Sequence, residues 1–150
     1  MTIYEYLMIL FSAVAIISSL IAIYRAEEAS KKSNETAMGQ TQVEIRSLIE
    51  STRKDLAEAN VKYIRHARPD EFNEALRMAQ KAAIERHLNA YDEACAKYLE
   101  NKVDRESFKR LYRTEIKNLV ESSVTSEYIM KNETDYQDIR KVYAEWEGKI

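Results

Sequence analysis

Two glycines and one proline in 150 residues leave too few turn formers for a sandwich, a barrel or a doubly wound sheet, whose corners draw heavily on those residues. The chain is therefore expected to be all-α. The glycines stand at 39 and 148 and the proline at 69, so long helices can run uninterrupted between them. The same scarcity removes phosphate-cradling loops, which need several glycines within a few residues. Kinase, ATPase and Rossmann chemistry go with them.

A mean hydropathy of -0.52 and 32% charged residues describe a polar chain on average, but the apolar residues are not evenly spread. Tyr6 to Tyr24 is a run of nineteen residues without a charge. As a helix it would cover roughly 28 Å, near the roughly 30 Å hydrocarbon core of a bilayer. Tyr4, Tyr6 and Tyr24 at its ends suit interfacial rings. MTIYEY lacks the positive start of a secretory signal peptide, so the run reads as an uncleaved anchor. Arg25, Lys31 and Lys32 follow it and no Lys or Arg precedes it, so the positive-inside rule puts the N-terminus outside and the C-terminal part in the cytoplasm. The expectation is a single-pass protein of the bacterial inner membrane. Cys95, the one cysteine, permits no intrachain disulfide and agrees with a reducing compartment. The sequons at Asn34 and Asn132 are then coincidental.

Steps of three and four along the helix give Ser12, Ala15, Ser19, Ala22, Ala26, Ala29, Ser33 and Thr36, all small. Small side chains let helix backbones approach closely, and a mean spacing of 3.5 keeps the stripe on one face of a left-handed supercoil. This predicts homo-oligomers through the span and the start of the stalk. A second stripe, Ile45, Ile49, Thr52, Leu56, Ala59 and Tyr63, does not continue the phase of the first, which places a stutter or hinge near Gly39. Ile45, Ile49 and Leu56 could serve the oligomer or could dock on the C-terminal domain. The division expected is an anchor at 1–25, a stalk or coiled helix at 26–68 and a cytoplasmic helical domain at 69–150.

Pro69 should end the long helix, because the residue before a proline avoids helical geometry. Asp70 can cap the next helix, which is expected to run to about Asn101 and bury Phe72, Leu76, Ala79, Ala83, Ala90, Tyr91, Ala94, Cys95 and Tyr98. Asp104 reads as the N-cap of a third helix whose inward face is Phe108, Leu111, Tyr112, Ile116, Leu119 and Val120. A short turn follows at Tyr128 to Met130. Thr134 or Asp135 should open a last helix carrying Tyr136, Ile139, Val142, Tyr143 and Trp146. The result is a small three- to four-helix bundle.

The sequence offers little catalytic chemistry. His66, His87 and Cys95 are the only soft metal ligands, and the Glu-x-x-His pairs of di-iron bundles do not occur. His87 reads as a half-buried surface residue. It lies eight residues before Cys95, about 12 Å along a helix, which is too far for a nucleophile and its base. Asp92, Glu93, Asp135 and Asp138 fall on faces read as solvated. No catalytic residue, cofactor or metal is therefore expected. Two basic clusters, one holding Arg65 and Arg68 and the other Lys102, Arg105, Lys109 and Arg113, could contact an anionic partner or lipid headgroups. No aromatics are interleaved with them as single-strand nucleic-acid binders require, so nucleic acid is not expected.

The run LNAYDEACAKYLENKVDRESFKRLYRTEIKNLVE (88–121) resembles a pattern in uncharacterised bacterial membrane proteins with one N-terminal span, a short coiled stalk and a small helical domain. The resemblance implies that architecture and, by looser analogy, a role in phage defence or superinfection exclusion; it carries no catalytic residue. The function expected is a non-enzymatic scaffold or adaptor that self-associates and presents its helical domain to a protein partner. The alternative is an oligomeric membrane-perturbing effector.

Overall fold

A computed structural model of the chain describes residues 3–66, 71–131 and 135–148, without the side chains at 5–7, 9, 10, 12, 13, 66 and 71–73. Among the described residues there are five helices: α1 (Ile3–His66), α2 (Glu71–Leu99), α3 (Arg105–Glu121), α4 (Ser123–Met130) and α5 (Gln137–Glu147). The all-α expectation is met. Helix α1 continues through Gly39, where a Cβ would meet nothing within 4 Å. The expected boundary at Pro69, the Asp70 cap and the opening of a helix by Thr134 lie outside the described residues.

Among the described residues no helix is long and apolar enough to cross a membrane. This overturns the placement as a single-pass inner-membrane protein with a transmembrane anchor at 1–25. The uncharged run contains Ser12, Ser18 and Ser19 and ends at Tyr24. Arg25, Glu27 and Glu28 follow at once.

The chain divides into two compact units, Met1–Ala37 and Met38–Ile150. From Ile3 on, the first is part of α1, and its described side chains are exposed. The second begins within the expected stalk rather than after it, because Ile45, Ile49, Leu56 and Thr52 are taken into the domain's own packing.

The core of the second unit is built from stripes that fit helical spacing. Helix α2 buries Ala83, Ile84, Leu88, Ala90, Tyr91, Ala94, Cys95 and Tyr98. Helix α3 buries Phe108, Tyr112, Ile116 and Val120, each four residues after the last, so its inward face is narrower than expected and Leu111 is exposed. Ile129 of α4 and Ile139, Val142 and Trp146 of α5 complete it. On α2, Leu76 is only partly covered and Ala79 is exposed. Phe108 joins the layers, with its ring centroid 5.3 Å from Tyr98, 4.8 Å from Tyr112 and 6.1 Å from Trp146.

Helix ends follow local chemistry. Asp104 caps α3 as expected, its carboxylate accepting from Ser107 N at 2.7 Å. Ser122 closes α3 and caps α4 with its hydroxyl. Helix α4 begins five residues before the turn expected at Tyr128. Helix α5 begins at Gln137 with Tyr136 left-handed (φ 53°) and with no cap from its own side chain. Its first amides are capped from another helix.

Candidate functional site

That cap is Asp92 of α2. Its Oδ1 accepts from the backbone N of Asp138 and of Ile139, both at 3.1 Å. A carboxylate at a helix N-terminus satisfies free amides and faces the positive end of the helix dipole. The reading of Asp92 as a solvated residue is thus corrected. Burial raises its pKa above the ordinary range, and Asp138 adds to this, while the two backbone donors oppose the rise. One turn further on, Cys95 is fully buried and burial holds its thiol well above its usual value. A protonated, inaccessible thiol is a poor nucleophile.

The densest polar cluster lies where the 45–60 stretch of α1 packs on α2 and α3. Arg53 of α1 donates to Glu115 Oε1 of α3 at 2.7 Å and to the Tyr91 hydroxyl of α2 at 3.2 Å. The Tyr91 hydroxyl donates in turn to the other Glu115 oxygen. Burial, reinforced by the hydrogen bond to Glu115, raises the Tyr91 pKa strongly. Beside this triad, Thr52 Oγ1 lies 3.0 Å from His87 Nδ1 and 3.1 Å from the carbonyl of Ile49. The His87 ring meets Tyr91 edge-on at 5.1 Å. His87 is only 8% exposed, so it is a buried interface residue and not the half-buried surface group expected. Its hydrogen-bond partner Thr52 lies 35 positions away on α1, which no local pattern could have indicated.

A second network ties α2, α3 and α5 together. The Tyr98 hydroxyl donates to Glu145 at 2.7 Å and accepts from Arg105 at 3.0 Å and from Trp146 Nε1 at 2.9 Å. Arg105 also pairs with Glu145 at 2.7 Å and lies 4.2 Å over the Tyr98 ring. Burial pushes the Glu145 carboxyl up, but hydrogen bonds from Tyr98 and Arg105 outweigh it and leave the pKa below its ordinary value.

The residues proposed for an anionic partner are therefore dispersed and partly engaged. Arg105 pairs with Glu145, Arg113 with Glu147 at 2.9 Å and Lys102 with Glu100 at 2.7 Å. Lys109 is half-buried and Arg65 is exposed, while Arg68 lies outside the described residues. Of the proposed oligomer face, Ala15, Ser19, Ala22, Ala26 and Ala29 are exposed and the side chain of Ser12 lies outside the description. The Ser19 hydroxyl donates to the Ala15 carbonyl of its own helix at 2.9 Å. Ile45 and Ile49 are 5% and 2% exposed, and with Leu56 they pack on the chain's own helices.

Two clefts accompany these networks. The larger, about 590 Å³, lies between α2, α4 and the start of α5 and mixes Glu74, Arg77, Lys81 and Glu127 with Tyr128 and Tyr136. Both signs of charge meet there, and Arg77 is already paired with Glu74 at 2.9 Å. The smaller lies between α1 and α2. Among the described residues no group of three His, Cys, Asp or Glu side chains could hold a metal ion. No protein-family model, curated protein or solved structure matches the chain.

Proposed function

We propose that the chain self-associates through the first part of α1 and presents the 38–150 domain to a protein partner, as a non-enzymatic scaffold or adaptor. The observation that carries this reading is the apolar surface of the first unit. Val14, Ile16, Ile17, Leu20, Ile21 and Ile23 are all at least half exposed, and at 3.6 residues per turn they share one half of the helix surface, bordering the half held by Ala15, Ser19 and Ala22. Partly covering those that border the small-residue face, Val14, Ile16, Ile21 and Ile23, would contribute roughly 1 kcal/mol each. Contiguous apolar surface of this kind marks an association site. The occupant we favour is a second copy, because Ala15, Ala22, Ala26 and Ala29 form a small-residue face that permits close helix approach.

Cysteine cross-linking tests it. Cys95 is buried, so Ala22→Cys introduces one accessible thiol. Mild oxidation of the full chain should give a covalent species of twice the chain mass, and adding Ala15→Leu and Ser19→Leu should abolish it. No cross-link, or a product that is not a multiple of the chain mass, would refute self-association through this face.

A further inference from the structure

The seam between α1 and the rest of the second unit is narrow. On the α1 side, Ile45, Ile49 and Thr52 are buried, with Leu56 partly covered. At the polar end of this seam stands the imidazole of His87, buried beside Thr52, a side chain that acidification can charge. We propose that His87 is a pH-operated latch, in which uptake of one proton releases the 45–60 stretch of α1 from α2 and α3.

The geometry fixes where the proton goes. Thr52 has one hydroxyl hydrogen, and the Ile49 carbonyl at 3.1 Å takes it. Thr52 Oγ1 therefore accepts from His87 Nδ1–H at 3.0 Å, which leaves Nε2 as the basic nitrogen of a neutral ring. Protonation there places a cation within a buried seam. The charged and titratable groups facing it are Arg53 from α1, Tyr91 from α2 and Glu115 from α3. Arg53 repels the new charge. Glu115 attracts it, but both of its oxygens are already committed to Arg53 and Tyr91. Burial first, then Arg53, hold the His87 pKa below its ordinary value, with Glu115 opposing.

The sign follows from linkage. A group with a lowered native pKa binds protons more readily once released, so docking is complete above the ordinary histidine pKa of about 6.5 and weakens as pH falls below it. One proton limits the response to about tenfold per pH unit.

Hydrogen exchange of the full chain, followed by mass spectrometry from pH 7.5 to 5.0 and corrected for intrinsic rates, tests the latch. Opening of the 45–60 amides should rise toward that tenfold limit in the wild type and stay flat in His87→Gln, whose amide can still hydrogen-bond Thr52. A flat wild type, or an unchanged rise in the variant, would overturn the proposal. Exchange of the imidazole C2 hydrogen in the wild type gives a second readout that needs no variant. The His87 midpoint should lie below the ordinary value and track the opening of 45–60, whereas a midpoint at or above it overturns the latch.

Discussion

Replacing Asp92 by alanine removes the side-chain cap on Asp138 and Ile139 in the first turn of α5. Two backbone N–H groups, those of Asp138 and Ile139, lose the one oxygen that serves both at 3.1 Å. Loss of an N-cap costs about 1 kcal/mol, and an amide left without a partner in a partly buried site costs about 1–3 kcal/mol. Helix α5 has no substitute from Tyr136, so we expect about 2 kcal/mol in total. For a domain of this size that lowers the Tm by about 6–10 °C. Asp92→Asn separates cap from charge: it keeps an acceptor oxygen while relieving the burial that raises the Asp92 pKa. It should cost less than half as much. Thermal unfolding of the full chain at neutral pH, followed by circular dichroism at 222 nm with Trp146 fluorescence as the tertiary probe, measures both. An alanine variant within about 0.5 kcal/mol of wild type, below the usual range for a lost cap, or an asparagine variant as damaging as alanine, would refute the reasoning.

Further tests concern other parts of the chain. Gly39 lies inside α1 with open space around a Cβ, so Gly39→Ala should stabilise that helix by up to about 1 kcal/mol, read as increased amide protection near residue 39. Gly148 is left-handed (φ 64°) at the end of α5, and Gly148→Ala should instead destabilise by about 1 kcal/mol, measured by urea unfolding. The Cys95 thiol should resist alkylation under native conditions and react only at the rate of domain opening; fast labelling at neutral pH would contradict its burial.

The helices were legible because their signals are local. Asp104 followed by an apolar residue every four positions, Phe108 through Val120, defines a capped amphipathic helix without reference to anything distant. What was not legible depends on partners far along the chain. Asp92 looks solvated until α5, 46 residues later, brings two free amides to it. His87 looks like a surface histidine until α1 folds back to present Thr52. The 45-49-52-56 stripe fits a second copy as well as the chain's own domain, since periodicity describes the seam and not what fills it. The first apolar run misled in another way. Its nineteen residues suggested a span, but among the described residues no helix is long and apolar enough to cross a membrane, and the run is followed directly by Arg25, Glu27 and Glu28.

The central claim is that the first unit, and not the 38–150 domain, brings copies of the chain together. Light scattering coupled to size-exclusion chromatography on the full chain addresses it most directly. The account predicts a mass at an integral multiple of 17.5 kDa, falling toward a single chain when Ala15, Ser19 and Ala22 are all replaced by leucine. A wild type that stays a strict monomer at high concentration, or a triple variant that keeps the full oligomeric mass, would contradict it.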